Sequence, residues 1–202
     1  MTDPTAIIGD VHGDLSKLSS LLRKLDDRRI VFLGDLVNRG PESRGVVDSV
    51  ADLVEDGKAT LLRGNHEAAL LAFWRGELSF VEFALMGGLP TLQSYLPDVR
   101  GDVGAAFRNA LPERHRRLLE GAADEIWIGS ALAKHWDADA ETALQTRIGN
   151  PTRGRPLVVG HTVVEYAQRV GHVVFLDSGC GVGGALSSLL LPEQTIISTT
   201  GG

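Results

Sequence analysis

At 202 residues, 43% hydrophobic and 23% charged, the chain is long enough for one packed domain and too apolar to be disordered. A formal net charge of −6 argues against a general nucleic-acid surface, and no run reaches the ~18 apolar residues of a membrane span. Cys180 is the single cysteine, so no intramolecular disulfide is available, and Met1-Thr2-Asp3-Pro4 lacks the regions of a secretory signal; the expectation is a soluble, cytoplasmic domain.

Residues 5–9 read as a buried strand. Asp14 then stands as an N-cap before Leu15, Leu18, Leu21, Leu22 and Leu25 at helical spacing. Ile30 to Leu33 is a second apolar run of strand length, and Pro41 precedes a helix carrying Val46, Val47, Val50, Leu53 and Val54 on one face. Ala59 to Leu62 is a third strand, followed by a helix from about Glu67 to Trp74. Strand–helix alternation of this kind predicts βαβ units and a parallel sheet. The stretch of about 76–122, punctuated by Gly87-Gly88-Leu89-Pro90, Pro97 and Pro112, reads as a helical insertion into a single domain spanning 1–202. Trp74, Phe80, Phe83 and Tyr95 are expected to form its core. Arg114, Arg116 and Arg117 are expected on a solvated helix face. Strands are predicted again at 126–128, 157–159, 173–176 and 188–191, with 194–199 forming a hairpin with the last of these.

Polar clusters follow the apolar runs. Gly9-Asp10-Val11-His12-Gly13-Asp14 places a carboxylate and an imidazole two residues apart at a strand end, on one side of the chain. An oxygen and a nitrogen ligand so placed suit half of a divalent metal site. Alone, such a triplet is more often a turn. Three further segments repeat the logic: Gly34-Asp35, Gly64-Asn65-His66-Glu67 and Gly160-His161-Thr162. Open α/β sheets place their sites at the carboxyl ends of strands, where these clusters fall. A nucleotide-binding α/β reading fails for want of a G-x-G-x-x-G or G-x-x-x-x-G-K arrangement.

With GDVHG, GDLVNRGP, LRGNHE and VVGHT in this order, the chain resembles the calcineurin-like metallophosphoesterases, in particular their phosphoprotein-phosphatase branch. That branch also holds bacterial protein phosphatases and symmetrical diadenosine-tetraphosphate hydrolases. Residues 176–184, and Gly87-Gly88 with Thr91 to Tyr95, are similar to pieces of the same branch. The resemblance implies an α/β (α+β) fold: a four-layer β-sandwich flanked by helices, with two divalent metal ions at the strand ends. Manganese is the first expectation, with iron or zinc as alternatives, since mixed O and N ligation disfavours calcium. Carried over, Asp10 and His12 would bind the first metal, Asp35 would bridge both, and Asn65 and His161 would hold the second. A bridged pair ~3.5–4 Å apart generates hydroxide near neutral pH for in-line attack on phosphorus. Arg39 and Arg63 would clamp phosphate oxygens, and His66 would be the general acid.

Two departures stand out. Protein phosphatases of the branch usually carry Asp where this chain has Asn38; an Asn oxygen could accept the His66 N–H but supplies no charge. Where the family expects His-Ala-Gly or His-Ala-x-Trp-Asp, this chain reads Ala131 to Asp137, so the remaining metal ligand is either His135 or, if Trp136-Asp137 sets the register, nothing but Ala133. His135 is preferred because imidazole suits such a metal. Arg147, Arg153 and Arg155 are candidates for a further phosphate contact, and His115 and His172 read as structural or solvent-facing. The leading expectation is hydrolysis of phosphomonoesters, with phosphoserine and phosphothreonine in proteins as substrates. Symmetrical hydrolysis of diadenosine tetraphosphate is the alternative, and a lapsed binding module the third reading. Partners are a phosphorylated protein or a small phosphoester, with neither nucleic acid nor membrane.

Overall fold

Two five-stranded mixed sheets face one another in a computed structural model that describes residues 3–98, 101–146 and 155–199. The strands are β1 (Thr5–Ile8), β2 (Arg29–Phe32), β3 (Ala59–Leu61), β4 (Glu125–Ile128), β5 (Ala131–Lys134), β6 (Leu157–Val159), β7 (Gln168–Val170), β8 (Val173–Phe175), β9 (Ser187–Leu191) and β10 (Thr195–Ser198). The helices are α1 (Leu15–Leu22), α2 (Ser43–Glu55), α3 (Asn65–Arg75), α4 (Phe80–Leu85), α5 (Leu89–Tyr95), α6 (Val103–Ala110), α7 (Glu113–Glu120) and α8 (Ala138–Thr146). The first sheet runs β10-β9-β1-β2-β3, the second β4-β5-β6-β8-β7. Within the first, β1, β2 and β3 are parallel, as strand–helix alternation demands. The expected hairpin is present as antiparallel β9 and β10, so the sheet is mixed rather than wholly parallel.

Side-chain alternation sorts the layers. Ala6, Ile8, Ile30 and Phe32 face the helical layer, meeting Val46, Val50 and Leu70. Their neighbours Ile7, Val31 and Leu33 point the other way, onto Ala133, Val158, Val174 and Leu176 of the second sheet. The outer face of that sheet, through Leu157, Val159 and Phe175, packs on Ala140 and Ala143 of α8. Helix, sheet, sheet, helix is the resulting four-layer order. Each fully buried Ile, Leu or Phe in these layers contributes roughly 1.5–3 kcal/mol relative to exposure.

Asp14 caps α1, accepting from the Lys17 N–H at 2.8 Å. The helix ends at Leu22, and Leu25 lies beyond it though still buried. Strands β5 and β7 and helix α8 had no clear periodic signal. Phe83 and Tyr95 are core residues, Trp74 is half-buried, and Phe80 is a correction: at the first position of a six-residue helix that buries only Phe83, it is 43% exposed. His115 is structural, its ring bridging Tyr95 Oη at 2.8 Å and Asp48 at 2.7 Å. Arg114 pairs with Asp52 and Glu55, and Arg116 with Glu120. Among the described residues no helix is long and apolar enough to cross a membrane.

Candidate active site

The candidate metal ligands, with Asn38, Arg39, Arg63 and His66, follow the carboxyl ends of parallel strands drawn from both sheets. In the first sheet, β1, β2 and β3 deliver Asp10 and His12, Asp35 to Arg39, and Asn65 and His66. In the second, β5 and β6 pair Lys134 with Val159, which sets His135 and His161 just beyond neighbouring strand ends, and β8 leads to Asp177. The loops interlock through main-chain bonds: Val11 and His12 N–H donate to Asp35 O at 3.1 and 2.8 Å, and Arg39 N–H to Gly87 O at 2.8 Å. Among the described residues seven non-glycine positions have positive φ, and five of them are His12, Asp35, Asn38, Arg39 and His161. Such conformations cost on the order of 1–3 kcal/mol each and persist where the surroundings impose them, characteristically at functional sites.

Two sets of potential ligand atoms form around Asp35. His12, Asp35 and His66 make one, wholly buried; Asp35, His135 and His161 make the other, open to solvent at His161. Asp35 Oδ2 lies 3.8 Å from both His12 Nε2 and His66 Nε2, while Oδ1 lies 3.5 Å from His135 Nε2. Asn65 Oδ1 sits 3.0 Å from His135 Nε2 and 2.9 Å from His161 Nδ1. His135 is thus brought to the cluster, while Ala133 is buried between the sheets. Asp10 belongs to neither set: its carboxylate accepts the His161 N–H at 3.0 and 3.2 Å, tying β1 to β6. Gly160 makes that possible, since a Cβ there would fall 2.1 Å from Asp10 Oδ1.

Tautomers expose the lone pairs. Main-chain carbonyls only accept, so His12 Nδ1 donates to Val37 O at 2.9 Å and His135 Nδ1 to Leu33 O at 3.0 Å. Burial holds His12 down at about 3, and it lowers His135 as well, so both rings are neutral and their Nε2 atoms face the pocket as lone pairs. The carboxylates are under the opposite pressure. Burial raises Asp35 to about 7, against the lowering effect of the His66 N–H and Arg39. Burial, then Asp177 and Asp35, push Asp10 well above the usual carboxylate range. Asp177 Oδ1 accepts the Gly179 N–H at 3.0 Å, and its buried Oδ2 has no partner. Neutral nitrogens, crowded carboxylates and an orphaned oxygen form an O/N ligand set lacking positive charge, which fits divalent cations. The guanidinium of Arg39 stands 2.8 Å from His12 Nε2, the contact a cation would take there.

Asn38, fully buried, turns its amide Nδ2 to His66 Nδ1 at 2.8 Å. The expectation that the Asn38 oxygen accepts from His66 is therefore corrected: that oxygen is engaged by the Thr91 hydroxyl at 3.0 Å. Arg63 spends its guanidinium on Ala122 O at 2.9 Å, Glu120 O at 3.4 Å and Asp124 at 3.6 Å. Arg155 stacks over Trp127 at 5.4 Å, and Arg147 and Arg153 lie outside the described residues.

Sequence reasoning passed over Glu67, Thr91 and Asp177. Glu67 accepts from the N–H groups of Asp35, Leu36 and Gly64 at 2.7, 2.8 and 3.0 Å, shaping the loop that presents Asp35. Asp177 follows the apolar run of β8 as Asp10 follows β1, a signal that was present. The segment after it closes over the site: a Cβ on Gly181 would lie 2.6 Å from His12 Cδ2 and 2.8 Å from Arg39 Cδ.

Fold and site together define a metallophosphoesterase-type hydrolase, and the chain belongs to the calcineurin-like phosphoesterase family, whose family model matches residues 4–139. Members of the family use divalent metals. More particularly, the chain is 30% identical to the asymmetrical bis(5'-nucleosyl)-tetraphosphatase PrpE of Geobacillus thermodenitrificans, an alignment covering 95% of this chain and 92% of that protein. The PrpE protein of Bacillus subtilis is 26% identical over the same shares. A crystal structure of a candidate diadenosine tetraphosphatase matches the fold with a TM-score of 0.69 at 24% identity, over all of this chain and 95% of that one. A metallophosphoesterase from Sphaerobacter thermophilus matches with a TM-score of 0.57 at 19% identity, over all of this chain and 88% of that one.

Proposed function

We propose that this chain is a dinuclear metal-dependent hydrolase of phosphoanhydrides in dinucleoside polyphosphates. The observation that carries the dinuclear reading is Asp35, with one oxygen toward His12 and the other toward His135. His12, Asp35 and Asp10 would hold one cation, and Asp35, Asn65, His135 and His161 the other. When bound, such a pair supplies Lewis acidity and a nucleophile at neutral pH. Manganese is the first candidate, with iron and zinc behind it, because the set holds no thiolate. Arg39, at the mouth beside both imidazoles, would engage phosphate oxygens with its planar fork; Arg63 is spent on main-chain carbonyls.

His66 bears on the substrate. Burial and Arg39 hold it down at about 4, and its partner Asn38 carries no charge, so at neutral pH it offers a hydrogen bond rather than an acidic proton. An alkoxide leaving from phosphoserine needs that proton; a nucleotide phosphate leaving from an anhydride does not. This chemistry and the relatives' names both move the preference from phosphoproteins, the leading expectation of the sequence, to the dinucleoside polyphosphate. The test is paired turnover of diadenosine tetraphosphate and a phosphothreonine peptide with added manganese. Release of ATP and AMP, with kcat/KM at least about tenfold above the peptide's, supports the proposal. Two ADP molecules would relocate the cut to the centre, and turnover of the peptide alone would overturn the anhydride reading.

A further inference from the structure

We infer that Asp177 belongs to the metal centre: the free oxygen of its buried carboxylate supplies negative charge to the cation that Asp10 and His12 would hold. The inference rests on the metal-dependent reading of the pocket and is indifferent to which phosphoester is cut.

Strand register places the residue. In the second sheet β5, β6 and β8 run parallel, pairing Lys134 with Val159 and Val159 with Phe175. Beyond these pairs the chain leaves the sheet through His135, through Gly160 and His161, and through Leu176 and Asp177. Asp177 thus closes a row whose other two members are candidate metal ligands. Across the gap between the sheets lies the end of β1. Gly9 follows it, and a Cβ there would fall 2.4 Å from Leu176 O, so the two backbones touch. The next residue on each side of that contact is an aspartate, Asp10 on one and Asp177 on the other. Of the charged groups that act on Asp10, Asp177 is the strongest, ahead of Asp35.

Local structure accounts for only half of the carboxylate. Asp177 is 1% exposed, and its Oδ1 accepts the Gly179 N–H at 3.0 Å. An uncharged Asn or Ser would make that turn as well. Oδ2 is sealed from solvent without a partner, and among the described residues no Lys, Arg or His pairs with this side chain. A carboxylate held out of water is costly unless donors or a cation answer it. Glu67, the other buried acid behind the site, shows the contrast: its two oxygens are taken by the N–H groups of Asp35, Leu36 and Gly64. Charge balance points the same way. Two divalent cations would stand against the carboxylates of Asp10 and Asp35 alone, since His12 and His135 are neutral and the Arg39 guanidinium adds to the positive side. A further carboxylate with an oxygen to spare reduces that excess, and oxygen donors suit manganese.

The test reads metal uptake and folding, not turnover. Asp177→Asn keeps an acceptor for Gly179 and loses the charge. Titration calorimetry of the metal-free protein with manganese chloride should show the tighter of two sites weakened about tenfold in this variant. Thermal unfolding of the metal-free variant should stay within about 4 °C of the wild type or rise above it, because only the cation needs the charge. Asp177→Ser also keeps a turn acceptor, without the added N–H of asparagine, and serves as the second variant. Unchanged manganese binding in either folded variant would overturn the inference. So would a metal-free midpoint lowered by more than about 4 °C in both, since Asp177 would then be holding the loop rather than the cation. A wild type that takes up no manganese removes the metal-dependent reading and this inference together. A wild type that binds manganese and cuts no phosphoester removes the proposed function alone, and the two variants still decide the place of Asp177.

Discussion

The two halves of the candidate centre share Asp35 and differ in almost everything else. In the half formed with His12 and His66, every ring is buried, and each is held from behind, by Val37 O or by Asn38 with Thr91. In the half formed with Asn65, His135 and His161, only His135 is anchored in this way; Asn65 and His161 reach the surface. Rigid backing costs conformational freedom in advance and so favours tight binding, whereas exposed side chains leave room for exchange and for substrate. On the proposed dinuclear reading, the buried half would retain its cation and the open half would release one.

The largest effect that would break this picture comes from the shared group. Asp35→Asn should lower turnover of a phosphoester by about a thousandfold or more, several kcal/mol of barrier, and should weaken metal uptake in both halves. A variant that lost only one cation and kept its rate would show the halves to be independent. The next contrast lies between the histidines. His12→Ala strips Val37 O of its donor in the core and should lower stability by about 1–3 kcal/mol, while exposed His161→Ala should stay within about 0.5 kcal/mol; thermal unfolding of the metal-free proteins decides. Equal losses would remove the distinction between a braced and an open side.

Gly181 sharpens the comparison from above. A methyl group there meets His12, which cannot yield, so Arg39 must, and Gly181→Ala should raise KM for a phosphoester by about tenfold with a smaller change in kcat. An unaltered KM would show that Arg39 does not bind substrate. Proton competition gives the smallest effect. Asp35 and Glu67 have folded values raised by burial to about 7 from 3.8 and 4.5, so their contribution to the metal-free fold is full only below those ordinary values and is lost progressively as pH rises from there through about 7. His12 and His66, depressed to about 3 and 4, act in the opposite sense, losing their contribution as pH falls below about 6.5, which leaves the carboxylates alone above that point. Manganese affinity should therefore fall about tenfold from pH 8 to about pH 6, and the thermal stabilisation by manganese should be larger at the alkaline end. Titration calorimetry at the two values checks it; a flat profile would place no proton on Asp35 in the metal-free protein.

Much of this was legible because the chemistry sits in short runs at strand ends. Asp10, His12, Asp35, Asn65, His66 and His161 each follow an apolar run, and local pattern is enough to see them. His135 was harder, since β5 contributes only Ala131, Leu132, Ala133 and Lys134, a run too weakly alternating to declare itself. Thr91 was beyond reach for another reason. Its partner lies fifty-three residues away, and only the packing of α5 beside the β2–α2 loop brings the hydroxyl to Asn38. For the same reason the orientation of the Asn38 amide read wrongly from the residues alone: a side chain with two faces takes its direction from tertiary contacts. The two-sheet layering followed from the family resemblance, not from periodicity, which indicates strands without saying which sheet they join.

The claim on which the account turns is that Asp35 stands between two cations at once. Electron paramagnetic resonance of the manganese-loaded protein tests it most directly. The account predicts an exchange-coupled signal from two ions per chain, collapsing to an isolated-ion spectrum in Asp35→Asn. A wild-type spectrum of uncoupled, single manganese ions would contradict it.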